Sequence, residues 1–197
     1  MTIQRASREY AVTDSDAALL ERLRSGDSTA FEELFLRHYA AVFRVLYHLV
    51  GSREEAEDLA QETFLALYDQ PPATGMGASL VAWLCRVALN RGYNALRGQR
   101  RAQQRMERIA EPPAQIDPQA ELARAEDRAL VRAVIAKLSE RQGRLLLLRY
   151  AGLSYAEIAG ALELAPASVG TLLARAERAF EAAYTREHGE GRRQEAD

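Results

Sequence analysis

The side chains able to do chemistry fall into two opposed blocks. Residues 53–69 hold six carboxylates against one arginine, a net −5, and among them are Glu54, Glu55, Glu57, Asp58 and Glu62. Residues 86–108 hold seven arginines against one acid, a net +6. Arg86, Asn90 and Asn94 follow at four-residue steps, and Arg97, Arg100 and Arg101 continue the basic run. Asparagine pairs with base edges and guanidinium groups pair with phosphates, so the second block suits a nucleic acid. The first block suits a basic protein surface. A charge run alone is often only a solvated face; two runs of opposite sign in one small chain are more informative.

Other chemistries are poorly supplied. The carboxylates lack the Glu-x-x-His pair of a carboxylate metal site. Cys85 is the only cysteine, which excludes an intramolecular disulfide and a cysteine-rich zinc site. His38, His48 and His188 do not share the spacing of ligands on one helix face. No glycine-rich phosphate loop follows a strand, and no serine or cysteine has a histidine partner pattern. The expectation is a protein without catalysis, cofactor or metal.

Composition sets the frame for these blocks. The chain has 197 residues, 48% hydrophobic and only 7% aromatic. Alanine and leucine dominance favours helices. The balance of 26 basic and 28 acidic residues, net −2, excludes a uniformly basic nucleic-acid coat and an acidic disordered tail. Every basic residue except Lys137 is arginine. The first fifteen residues lack an apolar core, so no signal peptide is expected. No apolar run of about 18 residues suggests membrane insertion. A cytoplasmic protein is expected.

Helices must position the two blocks. Residues 1–13 read as a flexible arm. A helix opens at the N-cap candidates at 14–16 and ends at a turn over 24–27. The next carries Phe31, Leu34, Phe35, His38, Val42, Val45, Leu46 and Leu49 at three- and four-residue steps, with His38 at the core edge. Gly51 closes it. A capping box at 52–55 opens the acidic helix, whose apolar side is Ala56, Leu59, Ala60, Thr63, Phe64 and Leu67. Residues 71–78 form a loop. A fourth helix over 79–105 buries Leu80, Trp83, Leu84, Val87, Ala88 and Leu96, with Cys85 packing beside that face.

Residues 106–119, with three prolines, read as a linker. Helices resume over 120–137, and further capping boxes stand at 139–142 and 154–157. Short helices at 154–162 and 166–184, split by a tight turn, have helix-turn-helix spacing. The tail from 187 is polar. The fold class is therefore all-α, two small helical domains at 14–105 and 120–186 joined by a linker, the second with a helix-turn-helix.

Several motifs then resemble a known family. They are Phe-Glu-Glu-Leu-Phe at 31–35, Gly-Ser-Arg-Glu-Glu-Ala-Glu-Asp-Leu-Ala-Gln-Glu-Thr-Phe at 51–64 and Ala-Trp-Leu-Cys-Arg-Val-Ala-Leu-Asn at 82–90. These resemble region 2 of the bacterial sigma factors of RNA polymerase. Leu-Ser-Glu-Arg-Gln at 138–142, Leu-Leu-Leu-Leu-Arg-Tyr at 145–150 and Gly-Leu-Ser-Tyr-Ala-Glu-Ile-Ala at 152–159 resemble region 4. The linker is too short for the middle domain of housekeeping sigma factors, so the chain resembles the small extracytoplasmic-function (ECF) type of the sigma-70 family.

The resemblance implies a factor that binds core RNA polymerase, recognises promoter DNA and helps open it, with an anti-sigma factor as a further partner. By resemblance, Asp58, Gln61 and Glu62 dock on the polymerase, beside an exposed Leu65. Arg86, Asn90, Asn94, Arg97, Arg100 and Arg101 serve the minus-ten element. Ser168, Thr171, Arg175 and Arg178 are the helix-turn-helix contacts to the minus-thirty-five element.

Two departures stand out. Residues 73–78 lack the aromatic and charged residues that commonly pocket a flipped base. Val-Gly-Thr-Leu-Leu-Ala-Arg-Ala-Glu at 169–177 lies where the family usually reads Val-Lys-Ser-Arg-Leu-His-Arg-Ala-Arg, so upstream contact is expected to be weak. The rival readings are a polymerase-independent helix-turn-helix regulator and a sigma-like interaction protein.

Overall fold

The computed structural model describes residues 14–72, 79–106 and 122–194. Those residues form α1 (Asp16–Arg24), α2 (Ser28–Val50), α3 (Arg53–Asp69), α4 (Leu80–Met106), α5 (Leu122–Lys137), α6 (Glu140–Tyr150), α7 (Tyr155–Leu162) and α8 (Pro166–Gln194). No strand occurs among them. The all-α expectation holds. The proposed arm, most of the 106–119 linker, Arg108 and the loop residues 73–78 lie outside the described residues. α8 continues as helix through Gln194, into the polar stretch that begins at residue 187.

Short-range chemistry sets the helix ends. Ser15 caps α1, its Oγ accepting from the Ala18 amide at 3.2 Å. Arg22 then ties the following turn, donating to Asp14 at 2.6 Å and to Asp27 at 2.8 Å. Asp27 caps α2 by accepting from the Thr29 amide at 2.9 Å. Gly51 ends α2 at φ 84, a left-handed conformation suited to glycine.

The capping box read at 52–55 is only half made. Ser52 Oγ accepts from the Glu55 amide at 3.3 Å, but the Glu55 carboxylate accepts from Gln99 Nε2 at 2.8 Å instead. A long-range partner on α4 outcompetes the local one. The boxes at Ser139/Gln142 and Ser154/Glu157 are complete.

α4 carries two apolar faces. Leu80, Leu84 and Ala88 join a cluster with α1, α2 and α3 that includes Leu19, Leu34, Leu46, Phe64 and Leu67. Ala82, Cys85 and Leu89 join a second cluster with Val45 and Leu49 of α2 and with Leu145, Leu148, Ile158, Val169 and Leu173 of the C-terminal half. α4 packs on α7, and α2 packs on α5 and α6. The two halves thus share a core.

Glycines permit the closest approaches. A Cβ on Gly143 would lie 2.7 Å from the Tyr93 hydroxyl, and one on Gly51 would lie 2.3 Å from Arg132 Nε. Burying one aliphatic side chain stabilises by roughly 1.5–3 kcal/mol, whereas an exposed ion pair contributes roughly 0–1 kcal/mol. Apolar burial therefore holds the halves together, and the polar pairs across them set the register.

His38 is a core histidine, as expected from its stripe. It is buried, with Nε2 2.9 Å from Asp16 Oδ2, while Arg37 donates to Asp16 Oδ1 at 2.7 Å. Hydrogen bonding to His38, then to Arg37, holds the Asp16 carboxyl below its ordinary range despite its burial. Asp27 is held at about 2 by hydrogen bonds from Thr29 and Arg22. A carboxyl with a depressed folded-state pKa contributes stability above its unfolded value of 3.8, and that contribution is lost as pH falls toward about 2. Acid unfolding followed by circular dichroism should therefore lose part of its steepness between these values in Asp27→Asn. Independently, Ser154→Ala should destabilise the chain by about 0.5–2 kcal/mol in urea through loss of its cap.

Candidate polymerase and nucleic-acid interfaces

α3 separates its two sides cleanly. Ala56, Leu59, Ala60, Thr63, Phe64 and Leu67 are buried, and the Thr63 hydroxyl donates back to the Leu59 carbonyl at 2.8 Å. Asp58, Gln61, Glu62 and Leu65 are all exposed, Leu65 at 58%. The side chains of Asp58 and Gln61 have no hydrogen-bond partner among the described residues. Glu62 is different: it accepts from Arg91 of α4 at 3.0 Å. Tyr68, one turn beyond Leu65, is 54% exposed and lies edge-on to Phe31 at 5.4 Å. Its three-residue step from Leu65 is a sequence signal that the helix reading passed over. The result is an acidic face with an apolar edge, of a kind that protein interfaces use.

The basic face of α4 is not free. Arg86 pairs with Glu163 of the turn between α7 and α8. Asn90 Oδ1 accepts from Arg144 Nη1 at 2.8 Å. Asn94 Oδ1 accepts from Arg97 at 2.7 Å, and Arg97 also donates to Glu140 at 2.9 Å. Ser79, at the start of α4, donates to Glu157 at 3.4 Å. Arg144 lies over the Tyr93 ring, 5.0 Å from its centroid, and burial pushes the Tyr93 phenol up to about 12. Arg100 and Arg101, farther along α4, are exposed. A cleft of about 890 Å³ between the halves is lined by Arg86, Asn90, Arg141, Arg144, Glu140 and Glu163.

Three of the six residues read as one surface, Arg86, Asn90 and Arg97, therefore take partners from the C-terminal half. Tyr93 and Arg144 were absent from the sequence reading. The steps Ala82, Cys85, Leu89, Tyr93 and Leu96 are a second apolar stripe on α4 that includes Tyr93, but nothing in it points to Arg144 as the facing residue.

The helix-turn-helix is formed by α7 and α8, which meet at 92°. Glu163 ends α7 in a left-handed conformation, φ 54, and Pro166 is the first residue of α8. Val169, Leu173 and Ala176 are buried, and Leu172 packs partly against them. Thr171, Arg175 and Arg178 are exposed, with Arg178 Nε donating to the Ala174 carbonyl at 3.2 Å. Ser168 is half-buried and its hydroxyl donates to the Ala165 carbonyl at 2.7 Å, which ties it into the turn. Arg175 and Arg178 are offset by Glu177 and Glu181.

Cys85 is fully buried and burial pushes its thiol up to about 12, the setting of a packed structural cysteine. No group of three or more metal-ligating side chains is present among the described residues. No single helix there is long and apolar enough to cross a membrane; α7 with α8 passes that test only as a bent pair.

Two helical halves, one with an exposed acidic face and a basic helix, the other with a helix-turn-helix, define the architecture of a transcription initiation factor. The sequence patterns of Sigma-70 region 2 and Sigma-70 region 4 match residues 34–102 and 128–180. The RNA polymerase sigma-H factor of Pseudomonas aeruginosa is 30% identical over 180 residues, covering 86% of this chain and 92% of that protein. The ECF RNA polymerase sigma-E factor of Haemophilus influenzae is 32% identical over 178 residues, covering 85% and 92%. Among solved structures, CnrH in complex with the cytosolic domain of CnrY has the same fold, with a TM-score of 0.63 at 23% identity over 86% of this chain and 96% of that one. A second is the sigma factor RpoE from Bartonella quintana, in complex with the anti-sigma factor NepR, with a TM-score of 0.56 at 22% identity over 79% and 96%.

The chain belongs to the sigma-70 family, as an ECF sigma factor with regions 2 and 4, and serves promoter recognition and transcription initiation. The presence of region 2 with region 4 does not favour a lone helix-turn-helix regulator. Sigma factors in general act by binding rather than by catalysis.

The geometry around Gly170 gives a direct test of the charge-poor last helix. A Cβ there would lie 3.5 Å from Tyr155, an ordinary contact. Gly170→Lys should fold, gain roughly 1 kcal/mol of helix stability, and bind duplex DNA more tightly. Its salt dependence should steepen by up to about 0.9 log units per log unit of salt. Salt titrations on one promoter fragment decide it; weaker binding at every salt concentration would mean the backbone at Gly170 must approach DNA closely.

Proposed function

We propose that the two faces divide the work of initiation. Asp58, Gln61 and Leu65, with Glu62 at the side nearest α4, dock on a basic surface of core RNA polymerase. Arg86, Asn90 and Asn94 read and hold the minus-ten element, while Arg97, Arg100 and Arg101 grip phosphates. Ser168, Thr171, Arg175 and Arg178 approach the upstream element, with little net charge to bind it. The chain works in the cytoplasm by binding alone, without catalysis or cofactor. An anti-sigma protein is its further partner, in line with the RpoE complex named above.

One observation carries this reading: an acidic helix face is exposed beside Leu65 although the other side of the helix is buried. Solvation alone gives no reason for an apolar edge on such a face, whereas a protein contact does. Asp58→Arg combined with Gln61→Ala should weaken core binding about tenfold or more without changing helical content. Unaltered affinity in that double variant sinks the docking assignment.

Asn90→Ala should reduce open-complex formation by about 1–3 kcal/mol on a promoter selected from random DNA with the holoenzyme. Permanganate footprinting reads this directly, and intact melting would remove the base-reading role.

A further inference from the structure

We infer that α8 selects its upstream element through the 5-methyl groups of thymines, with Thr171 at the centre of the contact. This rests on the approach of α8 to upstream DNA proposed above, and it names the base that the approach selects. A helix-turn-helix lays the N-terminal residues of its second helix against base edges in the major groove. The side chains available for reading are therefore those in the first turns of α8 that face away from its core.

The helix sorts these side chains by direction. Val169, Leu173 and Ala176 are buried, and Leu172 packs beside them. Ala167, Thr171, Ala174 and Arg178 are exposed. At about 100° per residue, these exposed positions fall within about 60° of one another, opposite the buried set. Gly170 and Arg175 border the row, one on each side. Ala167, Thr171 and Ala174 all carry methyl groups, and Thr171 alone adds a hydroxyl. From Ala167 to Ala174 the helix rises about 10 Å, enough to face about three base pairs.

The other polar groups of α8 are placed for different work. Ser168 is half-buried, and its hydroxyl donates to the Ala165 carbonyl at 2.7 Å. Arg178 donates Nε to the Ala174 carbonyl at 3.2 Å. Both Arg178 and Arg175 lie beyond the first two turns, where side chains meet the phosphate backbone. The Thr171 hydroxyl has no partner among the described residues.

Short side chains put little between the helix backbone and the floor of the groove, so methyl can touch methyl. Thymine alone presents a methyl group there, beside its O4 acceptor, and alanine and threonine methyls are suited to contact it. The Thr171 hydroxyl can donate to that O4. Guanine and adenine would find few donors along this row. Methyl contacts add no charge, which matches the balance of Arg175 and Arg178 against Glu177 and Glu181.

Holoenzyme formed with the full chain supplies the test. Promoters selected with it from random DNA should carry thymines at neighbouring base pairs of the upstream element. Replacing those thymines by deoxyuridine removes only their methyl groups and leaves the protein untouched. Binding should weaken about fourfold for each methyl contacted, with the salt slope unchanged. Thr171→Ser deletes the facing methyl and should abolish the deoxyuridine effect at one position. Thr171→Val keeps a methyl at similar size and should preserve it.

An upstream element selected without thymines overturns the methyl readout. So does a deoxyuridine effect that Thr171→Ser leaves unchanged at every position. If scrambling the element weakens binding but deoxyuridine does not, the readout falls while the approach of α8 to upstream DNA stands. If scrambling costs nothing, that approach falls and the readout with it.

Discussion

Everything else in the molecule is arranged around the fact that α4 is buried on two sides. One stripe, Leu80, Leu84 and Ala88, closes the core of region 2. The other, Ala82, Cys85 and Leu89, lies in a core that continues into region 4. A helix so placed cannot present a broad polar face, and what remains for polar groups is a margin. Arg86, Asn90 and Arg97 occupy that margin and take partners from the facing half. The same arrangement leaves α3 on the outside, so one end of region 2 is committed inward and the other outward.

Charge segregation has a structural counterpart. Three acids of α3 are engaged within the chain, Glu62 by Arg91, Glu55 by Gln99 and Glu57 by Arg53, while Asp58 stays on the outward face. The arginines of α4 are largely spent, except near its C-terminal end. A chain with almost no net charge thus exposes a local negative patch and offsets part of its positive one with its own carboxylates. Long-range attraction at physiological salt acts over about 8 Å, so a partner senses the exposed patch rather than the total.

Helix existence, order and most caps could be read from the sequence because they depend on neighbours three or four residues away. Ser139, Ser154, Gly51 and Pro166 are of this kind. The box at 52–55 misleads because Gln99, more than forty residues on, takes the Glu55 carboxylate. α4 shows the same limit at larger scale. Its apolar residues were assigned to a single core-facing stripe, with Cys85 beside it, whereas they form two. The second stripe has a legible period, but nothing local says that its partner is another domain. Tyr93 and Arg144 went unread for that reason. The acidic face was legible because exposure of one helix side follows from burial of the other.

Glu163 and Glu140 bear on how such a chain fares among nucleic acids. A bacterial chromosome offers millions of indifferent duplex sites, and any protein with bare phosphate-binding groups is diluted over them. A chain that satisfies Arg86 and Arg97 with its own carboxylates has less to offer those sites. Its search is then made in company with the polymerase, and the copies not yet recruited stay in solution instead of being stored along the genome.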